Sequence, residues 1–226
     1  MYAAGQLPAF TEWVSGLSRF YVFRLVDMSL LSMGAIRGEK AYAILEDLVG
    51  NQLIEDLSIP FTAVATDLVK RQEVWFQSDL LMDVLRASVA VPGMIMPVTE
   101  KYRFLVYGGL LNPVPIMLTV ADQADLIIAV NLNTNAVNSA LVLASRGGSS
   151  KSQRSHLQWN KMEMFNQCFE TMQATMEKYK MAGYEPDVEI KIDRKACSFF
   201  ELYRAKEMIQ IGRQAVLEAL RVKQKI

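Results

Sequence analysis

Asp125-Leu126-Ile127-Ile128-Ala129-Val130-Asn131-Leu132 restricts the fold of this chain more than any other stretch. Its apolar residues run without alternation, which is how a strand covered on both faces reads. Helical patterns stand on either side of it, and a sheet between helices is an α/β architecture with three α/β/α layers. A chain of 226 residues is long enough to bury one such core, so the reading is a single domain over 1–226. Phe61–Thr66, Val74–Phe76 and Phe104–Val106 are shorter extended runs. The expectation is that 61–66, 104–106 and 125–132 are buried neighbours in one sheet.

The helical patterns have recognisable ends. Glu39 to Val49 is followed by Gly50 as a stop, and Asp79 to Ala90 follows Ser78 as N-cap. Trp159, Met162, Phe165, Phe169, Met172, Met176 and Tyr179 recur in steps of three and four before Gly183, a stripe expected to face the core. Val188, Ile190 and Ile192 alternate with charged residues, the pattern of a half-buried strand. Ser198-Phe199-Phe200-Glu201 reads as a capping box opening a helix that presents Leu202, Ala205, Ile209, Val216 and Leu220 on one side. Gly147 to His156 is polar, and a flexible loop is expected at about 146–156.

Charge and the scarce residues narrow the chemistry. Lys+Arg and Asp+Glu are 24 each, a zero balance that argues against a nucleic-acid partner. The first 150 residues carry 10 basic and 14 acidic side chains and the remainder 14 and 10, so a basic C-terminal part could meet an anionic surface. His156 is the only histidine and lies in the polar loop, which leaves no catalytic triad elsewhere. Cys168 and Cys197 make neither a disulfide scaffold nor a zinc site and fit a reducing, cytoplasmic setting; no metal or cofactor is expected. Phe104–Ala121 and Leu126–Ser145 are uncharged but broken by glycine, proline and asparagine, so neither suits a membrane span.

One segment resembles a known family. Ala87-Ser88-Val89-Ala90-Val91-Pro92-Gly93-Met94-Ile95-Met96-Pro97-Val98 is followed by a strand and then by Tyr107-Gly108-Gly109-Leu110-Leu111-Asn112-Pro113-Val114. The pair is similar to the A-S-x-A-x-P-x-x-F-x-P-V and D-G-G-x-x-x-N-x-P-V blocks of the patatin-like phospholipases, with Ile95 in place of the usual phenylalanine. Gly34-Ala35-Ile36-Arg37-Gly38-Glu39-Lys40, Ala65-Thr66-Asp67-Leu68 and the stretch from Arg204 to Arg213 extend the likeness over nearly the whole chain. The resemblance implies a lipid or acyl-ester substrate, hydrolysed by a serine in a G-x-S-x-G elbow with an aspartate as base and an upstream oxyanion loop.

Two departures touch that chemistry. No G-x-S-x-G occurs in the 226 residues, and Met1-Tyr2-Ala3-Ala4-Gly5 resembles the end of the helix after the elbow, so the serine is expected upstream of Met1. Tyr107 stands where the dyad aspartate belongs. A phenol, with an ordinary pKa of ~10, is protonated at neutral pH and a poor base. No catalytic residue is therefore assigned, and Tyr107, Gly108, Gly109, Asn112, Ser88 and Pro92 are read as the surviving pocket and loop.

Three readings stay open: a truncated hydrolase inactive by itself, a pseudoenzyme binding a lipid or protein partner, and an unrelated hydrolase using Ser88 with Asp67 or Asp83. Peripheral contact with the inner face of a membrane is a further expectation. So is self-association through a sheet edge exposed at Phe61–Thr66, with marginal stability, because an adjacent strand would be missing.

Overall fold

The strand Ala63–Asp67, here β1, organises the first part of the chain, because it combines small apolar residues with two polar ones and yet is buried along its whole length. The computed structural model describes residues 1–26, 36–100, 102–134 and 161–223. The expected loop at 146–156, His156 and Trp159 lie outside them. The chain is mixed α/β and divides into two compact units, Met1–Pro113 with Phe199–Lys206, and Val114–Ser198 with Glu207–Ile226.

The first unit holds an antiparallel four-stranded sheet. Beside β1 lie β2 (Gln72–Phe76), β3 (Val98–Glu100) and β4 (Arg103–Tyr107), in the order β2-β1-β4-β3. The register sets Ala65 opposite both Val74 and Tyr107. Ala63, Ala65, Leu105 and Phe76 form the core with Leu81, Val84 and Ala87 of a helix at Leu81–Ser88. Small alanines on β1 let that helix sit close. Before it in the chain come α1 (Leu7–Ser15), α2 (Arg19–Leu25) and α3 (Glu39–Val49), so the helix on the sheet is α4. Gly50 ends α3 with φ 73°, a stop that suits glycine. Leu17, Val22 and Leu25 form a second small core to which Tyr203 contributes, with the Arg19 guanidinium 4.7 Å over its ring.

The second unit pairs β5 (Ile128–Thr134) with β6 (Val188–Asp193) in parallel, Ile128 opposite Val188. Its helices are α5 (Met117–Val120), α6 (Lys161–Gly183) and α7 (Ala205–Lys223), the last beginning at the end of the first unit's returning segment. Val114, Ile116 and Ala129 form its core with Met181 of α6. Val188 and Ile190 are buried, as their alternation requires.

Several expectations are corrected. The run at 125–132 is not in the sheet of 61–66 and 104–106, and it is not tightly covered on both faces. Ala129 and Asn131 are buried, whereas Ile128, Val130 and Leu132 are 49%, 55% and 60% exposed. Val130 and Leu132 instead line an open groove of about 510 Å3 whose far wall is Met208, Ile211 and Val216 of α7. Nor is β1 an edge: β2 and β4 pair with it on either side, so the edge expected at Phe61–Thr66 is not there, and among the described residues the outer strands are β2 and β3.

The helix ends also move. Ser78 does not cap α4, because Asp79 takes φ 87° and its carbonyl accepts from Ile54, while Leu80 bridges to Leu53; the helix starts only at Leu81. The box at Ser198 does not open α7 either. A 3-10 turn at Leu202–Arg204 comes first, and Glu201 pairs with Arg204 at 2.9 Å. The stripe on α6 is not core: Phe165, Met172 and Tyr179 are exposed, and Gln173 is the residue turned inward. On α7, Leu202's neighbours in the expected stripe, Ile209, Val216 and Leu220, are likewise partly exposed.

Candidate functional site

The segment from Ala87 to Asn112 builds its shape mainly from backbone hydrogen bonds. After α4, Val91-Pro92-Gly93-Met94 forms a turn closed by the Met94 amide on the Val91 carbonyl at 3.0 Å. Gly93 has φ 80°, so proline and glycine occupy the two central places a type II turn assigns them. Ile36 then bridges Ile95: the Ile36 amide donates to the Met94 carbonyl at 2.7 Å, and the Met96 amide to the Ile36 carbonyl at 3.0 Å.

Tyr107 is held at both ends of its peptide unit. Its amide donates to the Ala90 carbonyl at 2.9 Å, and its carbonyl accepts from the Thr66 hydroxyl at 3.2 Å. Gly108 to Leu110 then turn as a 3-10 helix, and the Asn112 amide returns to the Gly108 carbonyl at 3.0 Å. Gly108 is obligatory here. A Cβ built on it falls far inside van der Waals contact with the Val64 carbonyl oxygen, which is backbone and cannot readily give way. A Cβ on Gly109 would collide with the Tyr107 ring, so that ring lies over the second glycine.

The six residues singled out from sequence fall into three places. Ser88 and Gly108 converge on Val64: the Ser88 hydroxyl donates to the Val64 carbonyl at 2.8 Å, and Gly108 passes over the same oxygen. Tyr107 and Gly109 lie together at the end of β4, and Pro92 shapes the turn behind them. Asn112 points elsewhere. It is buried, and its Nδ2 donates at 2.9 Å to Glu73 Oε2, which also accepts from Trp75 Nε1 at 3.1 Å. Its Oδ1 is buried without a hydrogen-bond partner among the described residues.

These contacts decide what the segment can do chemically. The Ser88 hydroxyl donates its hydrogen bond to a backbone carbonyl, and Asp67 Oδ1 accepts the Val69 and Lys70 amides at 2.9 and 3.1 Å. The Ser88–Asp67 nucleophile pair is therefore not formed, and a serine without an adjacent base is a weak nucleophile. Two cavities of about 300 and 250 Å3 lie in the same unit, lined among others by Asp83 and Arg86, and by Tyr42 and Arg86; neither is lined by Tyr107, Gly108 or Asn112. Burial pushes the Tyr42 phenol up, although the Arg86 guanidinium 4.4 Å over its ring works against the shift. Among the described residues no three His, Cys, Asp or Glu side chains gather as a metal site. No described helix is long and apolar enough to cross a membrane.

Glu73 and Thr66 were invisible as site residues in the sequence. Glu73 lies inside a strand with no motif around it, and only the pairing of β1 with β2 brings it toward Asn112.

An uncharacterized NTE family protein of Mycobacterium tuberculosis (strain H37Rv) is 30% identical over 284 positions, covering 97% of this chain and 79% of its own length. A protein of the same description from Mycobacterium bovis matches equally. The chain belongs to the patatin-like NTE family. Because 97% of a 226-residue chain takes part in a match of 284 positions, these relatives carry additional residues inside the matched span. A patatin-like phospholipase domain-containing protein of Caenorhabditis elegans is 28% identical over 106 residues, 46% of this chain and 8% of its own. No protein-family model matches the chain. The family's lipid-hydrolase kind is supported by these relatives.

Proposed function

We propose that this patatin-like chain is a lipid acyl-ester module in which the turn Tyr107-Gly108-Gly109-Asn112 takes the place of the dyad loop, and that residues 1–226 do not by themselves hydrolyse acyl esters. The observation that carries this reading is the Tyr107 peptide, pinned through its own amide and carbonyl, in a segment that resembles the family's motif with tyrosine where the aspartate is expected. A phenol there cannot draw a proton from a hydroxyl at neutral pH as a carboxylate does. Ser88, the serine beside the turn, is engaged with Val64 and has no base.

A non-catalytic module that retains the loop and binds a lipid is the second reading. It is favoured by the glycine pair, whose close fit to Val64 and Tyr107 maintains the loop's shape without the aspartate. The setting we propose is the cytoplasmic face of a membrane. Self-association by strand pairing, in this topology, falls to β2 and β3, and sedimentation velocity measures it.

The deciding measurement is turnover of a short acyl ester and of a phospholipid by purified residues 1–226. The expected rate is background for the chain itself and for Tyr107→Asp, since no G-x-S-x-G accompanies the restored carboxylate. Activity that Tyr107→Phe abolishes makes the tyrosine a participant and overturns the reading. Activity gained by Tyr107→Asp places a working nucleophile within the chain and overturns it too.

A further inference from the structure

Two turns of the first unit emerge at one end of its sheet. β1 ends at Asp67 and β4 begins at Arg103, and their antiparallel register sets Asp67 opposite Leu105. The Leu68 amide donates to the Phe104 carbonyl at 3.0 Å, so the turn leaving β1 and the one entering β4 are joined side by side. At this end the side chains divide into two kinds. Val69 is 65% exposed and Tyr102 96%, with Leu68 and Phe104 partly exposed behind them. Lys70, Arg71 and Arg103 are also exposed, and none forms an ion pair with a described residue; Glu100, opposite Arg103, is an exposed acid at this end.

The tip is built, not loose. Asp67 is fully buried, and its Oδ1 takes the amides of Val69 and Lys70, which fixes the turn that carries them. Arg71 completes the turn in the left-handed region at φ 56°. Exposed apolar and aromatic groups interleaved with cations match a phospholipid interface: rings and aliphatic groups enter the headgroup layer while the cations meet anionic lipid. Among the described residues this end carries Lys70, Arg71 and Arg103 against the exposed Glu100 and the buried Asp67, a basic excess where the first 150 residues have an acidic one.

We propose that the two-turn tip of the first unit, Leu68–Arg71 with Tyr102–Phe104, docks the protein onto an anionic phospholipid bilayer. This goes beyond the acyl-ester reading and does not need turnover. Vesicle binding and hydrolysis are separate readouts, so failure of one leaves the other standing.

The test is co-sedimentation of the full chain with phosphatidylcholine vesicles, with and without phosphatidylglycerol, in low and high salt. The expected result is binding to the anionic vesicles that weakens with salt. At about five-fold per cation, Lys70→Glu with Arg71→Glu and Arg103→Glu lowers the partition coefficient on the order of a hundred-fold or more. Val69→Ser with Tyr102→Ser lowers it on both vesicle types. Phe20→Ser with Phe23→Ser, at exposed aromatic positions on α2, leaves it unchanged.

Absence of vesicle binding by the wild-type chain overturns the proposal, as does binding that survives both tip variants or is lost only with the α2 pair. Retention on single-stranded DNA in place of vesicles assigns the tip to nucleic acid and also overturns it. Should a tip variant fail to fold, Tyr102→Trp supplies an independent readout. Its added fluorescence is quenched by brominated acyl chains if the tip inserts, and unquenched fluorescence on bound vesicles refutes insertion.

Discussion

β1 and β5 teach opposite lessons about burial. β1 is Ala-Val-Ala-Thr-Asp, modest in hydrophobicity, yet every residue in it is buried. β5 comes from the most apolar run in the chain, yet it buries alternate residues and shows three aliphatic side chains to an open groove or solvent. The cause is what lies alongside. β1 has a strand on each side and α4 against one face, whereas β5 has one strand partner among the described residues. Apolarity in a sequence reports what a strand could bury; the neighbours decide what it does bury.

That contrast can be broken at several points, beginning with the most severe. Gly108→Ala drives a methyl group into the Val64 carbonyl and should lower stability by more than about 3 kcal/mol, with loss of the cooperative melt measured by circular dichroism. Leu105→Ala, at the centre of the first unit, should cost about 3 kcal/mol, whereas Leu217→Ala on the exposed side of α7 should stay within about 0.5 kcal/mol. Equal losses at the two leucines would mean that the second unit is packed as tightly as the first.

Asn131 probes the second unit's polar interior. Its Nδ2 donates to Glu177 at 2.6 Å and Glu189 at 2.9 Å, so Asn131→Asp removes both donors and adds a third carboxylate. A cost of about 2 kcal/mol at neutral pH is expected, shrinking as the pH falls into the carboxylate range and repulsion is relieved. Gly212→Ala meets no described atom and lies within α7, so denaturant unfolding should register a gain of about 0.5–1 kcal/mol.

The mildest probe is a titration. Burial first, then the Glu39 carboxylate, hold the Tyr42 phenol above its ordinary value against the pull of Arg86. A proton held more tightly in the folded state gives stability that is complete below the ordinary phenol pKa of ~10 and is lost as pH rises through the raised value. Ultraviolet difference spectra should show the last phenolate appearing above that of the exposed tyrosines, and Tyr42→Phe should remove the late phase.

The sequence made some of this legible and not the rest. Helix Glu39–Val49 with its Gly50 stop is present as read, because cap and periodicity are local. Gly108 was legible only as part of a motif, because the obstacle that makes glycine necessary, the Val64 carbonyl, is 44 positions away. The start of α4 was misread because the pairing of Leu80 with Leu53, a distant contact, overrides Ser78 as a cap. The α6 stripe misled for the same reason as β5: apolar periodicity marks a face without saying that anything covers it. Within the site, the Glu73–Asn112 contact crosses about 40 residues and depends on sheet register, which no single segment encodes.

The pairing distances also set an order of assembly. β1 and β2 meet across a turn of a few residues, and such a hairpin closes in microseconds. β4 must return over about 40 residues before Gly108 can close against Val64, so the sheet seals only after that larger loop is bridged. β5 waits longest. Its partner β6 lies about 60 residues further along, and at roughly 10 residues per second the ribosome takes on the order of six seconds to supply it. Throughout that interval β5, drawn from the apolar run at 126–130, is synthesised but unpaired, which exposes it in the nascent protein to capture by a chaperone or by a neighbouring chain.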